Sequence, residues 1–152
     1  MKISTFFISE GIAQDASGAY SAIRVGQNLV FTMSVPTASK RAIFLNLVEE
    51  DDELVEGTQI IVSFEIKAPS GEVIAGNVIG IPIVAKPIAS LPAEIPVPAE
   101  FVLPLADFGE YTVSASVALP DGAQLHSSLP LHVLKPPTGP PNGPAPEITG
   151  SD

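Results

Sequence analysis

A chain of 152 residues with seven basic and seventeen acidic side chains carries a formal charge of −10. A field of that sign repels phosphates, which argues against nucleic acid or an anionic membrane as a partner. The absence of cysteine excludes disulfides and thiolate-bound zinc, and a 45% hydrophobic content rich in Val, Ile, Ala and Leu suits a pleated, two-layered core.

Residues 2–10 predict a first strand. Their apolar run is broken by Ser4 and Thr5 and stopped by Glu10, unlike a secretory leader. No apolar run approaches the roughly 20 residues of a membrane helix, so the expected location is the cytoplasm. Asp15-Ala16-Ser17-Gly18 reads as a turn, since Asp and Ser bond their own backbone and Gly admits positive φ. Residues 19–25 and 28–35 continue extended, with a bend or bulge at Gly26-Gln27-Asn28 and a stop at Pro36. Arg24 falls in this run as a surface side chain. Residues 41–48 are almost continuously apolar, as in a central strand covered on both faces.

The next five residues, Glu49-Glu50-Asp51-Asp52-Glu53, predict a solvated acidic loop tip. Beyond Gly57, Ile60, Val62, Phe64 and Ile66 alternate with Ile61, Ser63, Glu65 and Lys67, the period of two of a strand with unlike faces. Pro69-Ser70-Gly71 turns the chain and residues 73–81 return. The stretch 82–104 is apolar but interrupted by Pro82, Pro87, Pro92, Pro96, Pro98 and Pro104. Each proline lacks an N–H donor, so the stretch is expected to be an edge-running crossover between two sheets, with a short strand at residues 100–103. The alternative is a docking surface, since Ile88, Leu91, Ile95 and Val97 would be costly to expose.

The most regular part of the chain spans residues 103–133. Tyr111, Val113, Ala115 and Val117 alternate with Thr112, Ser114 and Ser116. Pro120-Asp121-Gly122 reverses the chain with the same turn chemistry as Pro69-Ser70-Gly71, and residues 125–133 run back. From Lys135 onward the composition is Pro- and Gly-rich, which predicts a disordered tail with polyproline II character. Two P-x-x-P spacings, Pro137 with Pro140 and Pro141 with Pro144, fit a groove-binding pattern, but a solvated tail is the leading expectation.

Asp107, Gly109 and Tyr111 form a D-x-G-x-Y pattern. It resembles the tyrosine corner of immunoglobulin-like and fibronectin-like sandwiches, in which the Tyr hydroxyl bonds back to upstream backbone. The resemblance covers residues 40–134. With neither a Cys near Val113 and Ala115 nor any Trp, it does not extend to antibody-type domains. It implies an all-β, immunoglobulin-like antiparallel sandwich of about seven to nine strands, over residues 1–134, followed by the tail at 135–152. The corner is structural in that family and implies no activity. The opening Thr5-Phe6-Phe7-Ile8-Ser9-Glu10-Gly11 is similar to that of a small bacterial family of uncharacterised sandwich proteins, which implies a bacterial cytoplasmic origin.

No catalytic constellation stands out. His126 and His132, six apart on one strand, would share a face about 20 Å apart, too far for one metal. No serine lies in G-x-S-x-G, and Gly76 and Gly80 lack the Lys-Ser/Thr of a phosphate loop. The acidic run from Glu49 lacks the alternating oxygens and Gly of a calcium loop. The expectation is therefore a non-enzymatic interaction or structural module, without catalytic residue, cofactor or metal, that binds another protein or itself. The competing class is a small-ligand or cation-binding, even hydrolytic, sandwich using loop carboxylates near residues 49–53.

Overall fold

The two alternating runs at residues 60–66 and 111–117 lie side by side at the centre of a five-stranded sheet. The computed structural model describes residues 1–26, 28–50, 54–84 and 91–137. Ten strands occur among them: β1 Lys2–Ser9, β2 Gly11–Gln14, β3 Tyr20–Ile23, β4 Leu29–Phe31, β5 Thr37–Val48, β6 Gln59–Lys67, β7 Val73–Pro82, β8 Glu94–Leu105, β9 Gly109–Ala118 and β10 Gln124–Leu134. One sheet has the order β1-β5-β8, the second β4-β10-β9-β6-β7, and β2 and β3 form a separate hairpin. The fold is all-β, and no described helix is long and apolar enough to cross a membrane. The expected tail falls, from residue 138 onward, outside the described residues.

The strands exceed the expected number because residues 11–14, beyond the strand expected at residues 2–10, form one of their own. β1 ends at Ser9 and the chain folds back as β2 and β3. The hairpin turn is held by Asp15, whose Oδ1 accepts from Ser17 N at 2.7 Å, Ser17 Oγ at 2.6 Å and Ala19 N at 3.1 Å. A second departure concerns direction. β4 pairs with β10 in parallel, while every other pair among the described residues is antiparallel. The chain reaches β4 through two left-handed residues, Arg24 at φ 52° and Gly26 at φ 75°.

The core lies between the inner faces of the two large sheets. β5 contributes Ile43, Leu45 and Leu47; β8 contributes Val97, Ala99, Phe101, Leu103 and Leu105. Opposite them stand Ile60, Val62, Phe64 and Ile66 of β6 and Tyr111, Val113, Ala115 and Val117 of β9. The Phe64 and Phe101 rings meet edge-on across the layers, centroids 6.2 Å apart at 80°. Burying each large side chain contributes about 1.5–3 kcal/mol, so this double layer is the main source of stability. β5 is covered on its outer face as well, as its apolar sequence predicts. Phe44 stacks on Phe7 at 5.2 Å and meets Tyr20 of the hairpin at 5.7 Å.

The Pro-rich stretch differs from the expected crossover: residues 94–105 form one twelve-residue strand along β5. Parity explains how prolines fit. Glu49 N donates to Ala93 O, so odd-numbered residues of this segment turn their backbone groups toward β5. Pro96, Pro98 and Pro104 are even and face the free edge, where no donor is needed. The same parity sends Val97, Ala99, Phe101, Leu103 and Leu105 into the core. Ile88 and Pro87 lie outside the described residues.

Tyr111 is fully buried. Its hydroxyl donates to Asp107 O at 2.9 Å and accepts from Asp107 N at 3.1 Å. A pair of bonds to backbone of this kind contributes about 1–2 kcal/mol. The two P-x-G turns also coincide in detail. Gly71 N bonds Ala68 O at 2.8 Å with φ 87°, and Gly122 N bonds Leu119 O at 3.0 Å with φ 88°.

Candidate functional site

The inner face of β5 changes character along its length. Ile43, Leu45 and Leu47 are core residues, but the same row continues backward as Arg41, Ser39 and Thr37. The pairing changes at the same place. β1 accompanies β5 only from Lys2 opposite Val48 to Ser9 opposite Ala42, so residues 37–41 pair, among the described residues, with β8 alone. Odd residues of β5 face β8, which leaves the backbone groups of Ala38 and Lys40 turned toward the side that β1 has left.

β4 forms the opposite bank. Asn28 O accepts from His132 N at 2.7 Å and Thr32 N donates to Leu134 O at 3.0 Å. By the same alternation, Leu29 and Phe31 turn their amides and carbonyls away from β10. Val30 points into the core, while Phe31 is 55% exposed. Between the banks is a hollow of about 410 Å³ lined by Glu10, Arg24, Phe31, Thr37, Ser39 and Arg41, among others.

Two arginine side chains line it. Arg24 Nη1 donates to both Glu10 carboxylate oxygens at 3.2 Å. Arg24 holds a left-handed backbone, a conformation that costs a non-glycine residue about 1–2 kcal/mol. Arg41 Nη1 donates to Lys40 O at 2.8 Å, which sets its guanidinium at the unpaired edge. Its Nε is shielded from solvent and has no hydrogen-bond partner among the described residues. Burial pulls the Arg41 pKa below its ordinary value, and Glu10 pulls it partly back. The group nevertheless stays charged at neutral pH, as guanidinium does. Two arginines against one glutamate give the hollow a local charge of +1 within a chain of −10. Such a site can hold an oxyanion.

The residues singled out from sequence lie elsewhere. Glu49 is a correction: it is only 2% exposed, and its Oε1 and Oε2 accept from Leu54 N at 3.2 Å and Ala93 N at 3.1 Å. Glu50 is partly exposed and pairs with Lys2 at 3.0 Å, a hydrogen bond that holds its carboxyl below the usual range. Asp51, Asp52 and Glu53 lie outside the described residues. Among those described, no group of three or more His, Asp or Glu is placed to hold a metal. The histidines occupy the outer face of β10, each against β9. His126 Nδ1 lies 3.0 Å from Ser116 Oγ, and His132 Nδ1 lies 3.7 Å from Glu110 Oε2. Asp107 serves the Tyr111 corner through its backbone.

Arg41 went unremarked in the sequence and Arg24 read as plain surface. The signal was present for one of them: extending the period-two row of β5 back from Ile43 places Arg41 in line with the core. Comparison of the chain with models of known protein families, and with the curated proteins, finds no match.

Proposed function

We propose that the protein is a non-enzymatic interaction module of immunoglobulin-like type that engages another protein, or a second copy of itself, at the seam between β4 and β5. The observation that carries this reading is the coincidence of two unpaired strand edges with an apolar rim. Ile23, Val25, Leu29, Phe31 and Met33 are all exposed on the run that carries Arg24. Large apolar side chains gathered in so short a run are unusual for a surface that meets only water. The sheet orders, with β1 in one sheet and β4 in the other, and the Tyr111–Asp107 bonds support the immunoglobulin-like part. A cytoplasmic setting goes with the same reading and rests on composition alone. Against the carboxylate-loop alternative, Glu49 already serves two backbone amides.

A photo-crosslinking amino acid at position 31, in the full chain expressed in its host cell, tests the proposal. Gln124, exposed at the start of β10, is the control position. A discrete adduct from position 31 and none from position 124 is expected, whether with a partner or at twice the chain's own mass. The same diffuse products from both positions would overturn the assignment of the seam.

A further inference from the structure

Accepting the seam as an interaction surface, we infer that its occupant is an extended acidic peptide segment, which adds as a strand along residues 37–41 of β5 and sets a carboxylate against Arg41. Three features of the hollow combine to specify this ligand.

The first is the vacant strand position. Where β1 stops at Ser9, the amide and carbonyl of Ala38 and the amide of Lys40 face the opening, on a line that continues the ladder of β1. A peptide laid there would gain main-chain hydrogen bonds, the general basis of strand addition. The free edge of β8 is a poorer template, because Pro96, Pro98 and Pro104 leave gaps in its row of donors.

The second feature is the alternation of side chains. Every second residue of an added strand would point between the sheets, on the same side as Thr37, Ser39 and Arg41. That side is polar, with hydroxyls at its outer end and a guanidinium at the inner one. The intervening residues would point the other way, to the outer face that carries Ala38 and Lys40.

Charge is the third. Arg24 is already occupied by Glu10, through both of its carboxylate oxygens. Arg41 is occupied only by its neighbour's carbonyl, with its Nε unmatched. A planar guanidinium accepts a carboxylate in a two-point fork, and the attraction is strengthened where water is excluded. The chain as a whole, at −10, repels an acidic segment, so the positive charge of this hollow is what would seat one here.

Calorimetric titration of the full chain with two acetylated, amidated pentapeptides, one alternating Val and Glu and the other Val and Gln, tests the inference. The Glu peptide should bind about tenfold more tightly than the Gln peptide, with amide shifts centred on Ala38 and Lys40 in NMR spectra. Arg41→Met should reduce the Glu peptide to the affinity of the Gln peptide, and Arg41→Lys should leave an intermediate preference, which guards against a variant that merely fails to fold. Equal binding of the two peptides by the native chain would overturn the carboxylate, and binding indifferent to Arg41→Met would overturn the site. If neither peptide binds while position 31 still crosslinks, the acidic-strand inference is lost and the interaction surface stands.

Discussion

Glu49 grips Ala93 twice: its backbone N–H donates to Ala93 O at 3.0 Å, and its carboxylate Oε2 accepts from Ala93 N at 3.1 Å. The other oxygen takes Leu54 N, so one buried carboxylate joins the end of β5, the following loop and the start of β8.

Replacing Glu49 by Ala leaves at least the half-buried Ala93 and Leu54 amides without this acceptor. The expected loss is about 2–4 kcal/mol, since bonds to a charged group are each worth about 1.5–3 kcal/mol and do not add fully. Glu49→Gln keeps one acceptor oxygen and should lose less. Urea midpoints at constant m-value would show this order, and equal midpoints for all three proteins would mean that Glu49 faces solvent.

Strong acid should loosen the β2–β3 hairpin. The hydroxyl and amide of Ser17 hold the Asp15 carboxyl below its ordinary value of 3.8. A carboxyl depressed in the folded state contributes stability that is complete above the unfolded value and disappears as pH falls through the folded one. The loss therefore begins below about pH 4. Following the Asp15 carboxyl carbon by NMR, Ser17→Ala should shift its titration upward, toward an ordinary aspartate. No movement would remove the Ser17 bonds as the cause.

Arg24 sits at φ 52° and its ion pair with Glu10 is exposed. Exposed pairs contribute at most about 1 kcal/mol, whereas the left-handed backbone costs a residue with a Cβ about 1–2 kcal/mol. Arg24→Gly and Arg24→Ala lose the same pair, but only Gly relieves the backbone. The Gly variant should exceed the Ala variant by about 1 kcal/mol after its greater freedom when unfolded is counted. Chemical denaturation of the two side by side decides it; an Ala variant at least as stable would contradict the left-handed backbone.

Pro96 and Pro98 face the free edge of β8, so their replacement by Val should leave the fold intact while restoring two outward donors. The expected consequence is edge-to-edge association, since prolines are among the features that blunt sheet edges. Light scattering over rising concentration should show larger particles for the double variant and an unchanged mass for the native chain. Identical profiles would mean that another feature protects this edge.

The all-β class and the central strands were legible because alternation is a local property: Ile60, Val62, Phe64 and Ile66 announce one buried face within a few residues. The turns were legible for the same reason. β8 was misread because proline density was weighed without parity. Three prolines two or six residues apart all face one way, and an edge strand tolerates them there. Glu49 was misread because its burial depends on Ala93, 44 residues later, which no local pattern announces. The seam is of the same kind: it exists because β1 stops one residue short of Glu10, opposite Ala42, and the vacancy this leaves is not a property of any single segment. Only Arg41, in the row of Ile43 and Leu45, left a trace in the sequence.

The parallel pairing of β4 with β10 also orders events in time. Among the described residues β4 has β10 as its only strand partner, and Phe31 lies opposite Leu134, about a hundred residues further along the chain. During synthesis the β1–β5 ladder can form as soon as residue 48 has left the ribosome, but β4 must wait for the last strand. Closing so long a loop is slow, so this bank of the seam should be among the last parts to set and the first to open by thermal fluctuation. The newly made chain would thus pair β1 with β5 well before it acquires the surface proposed for recognition.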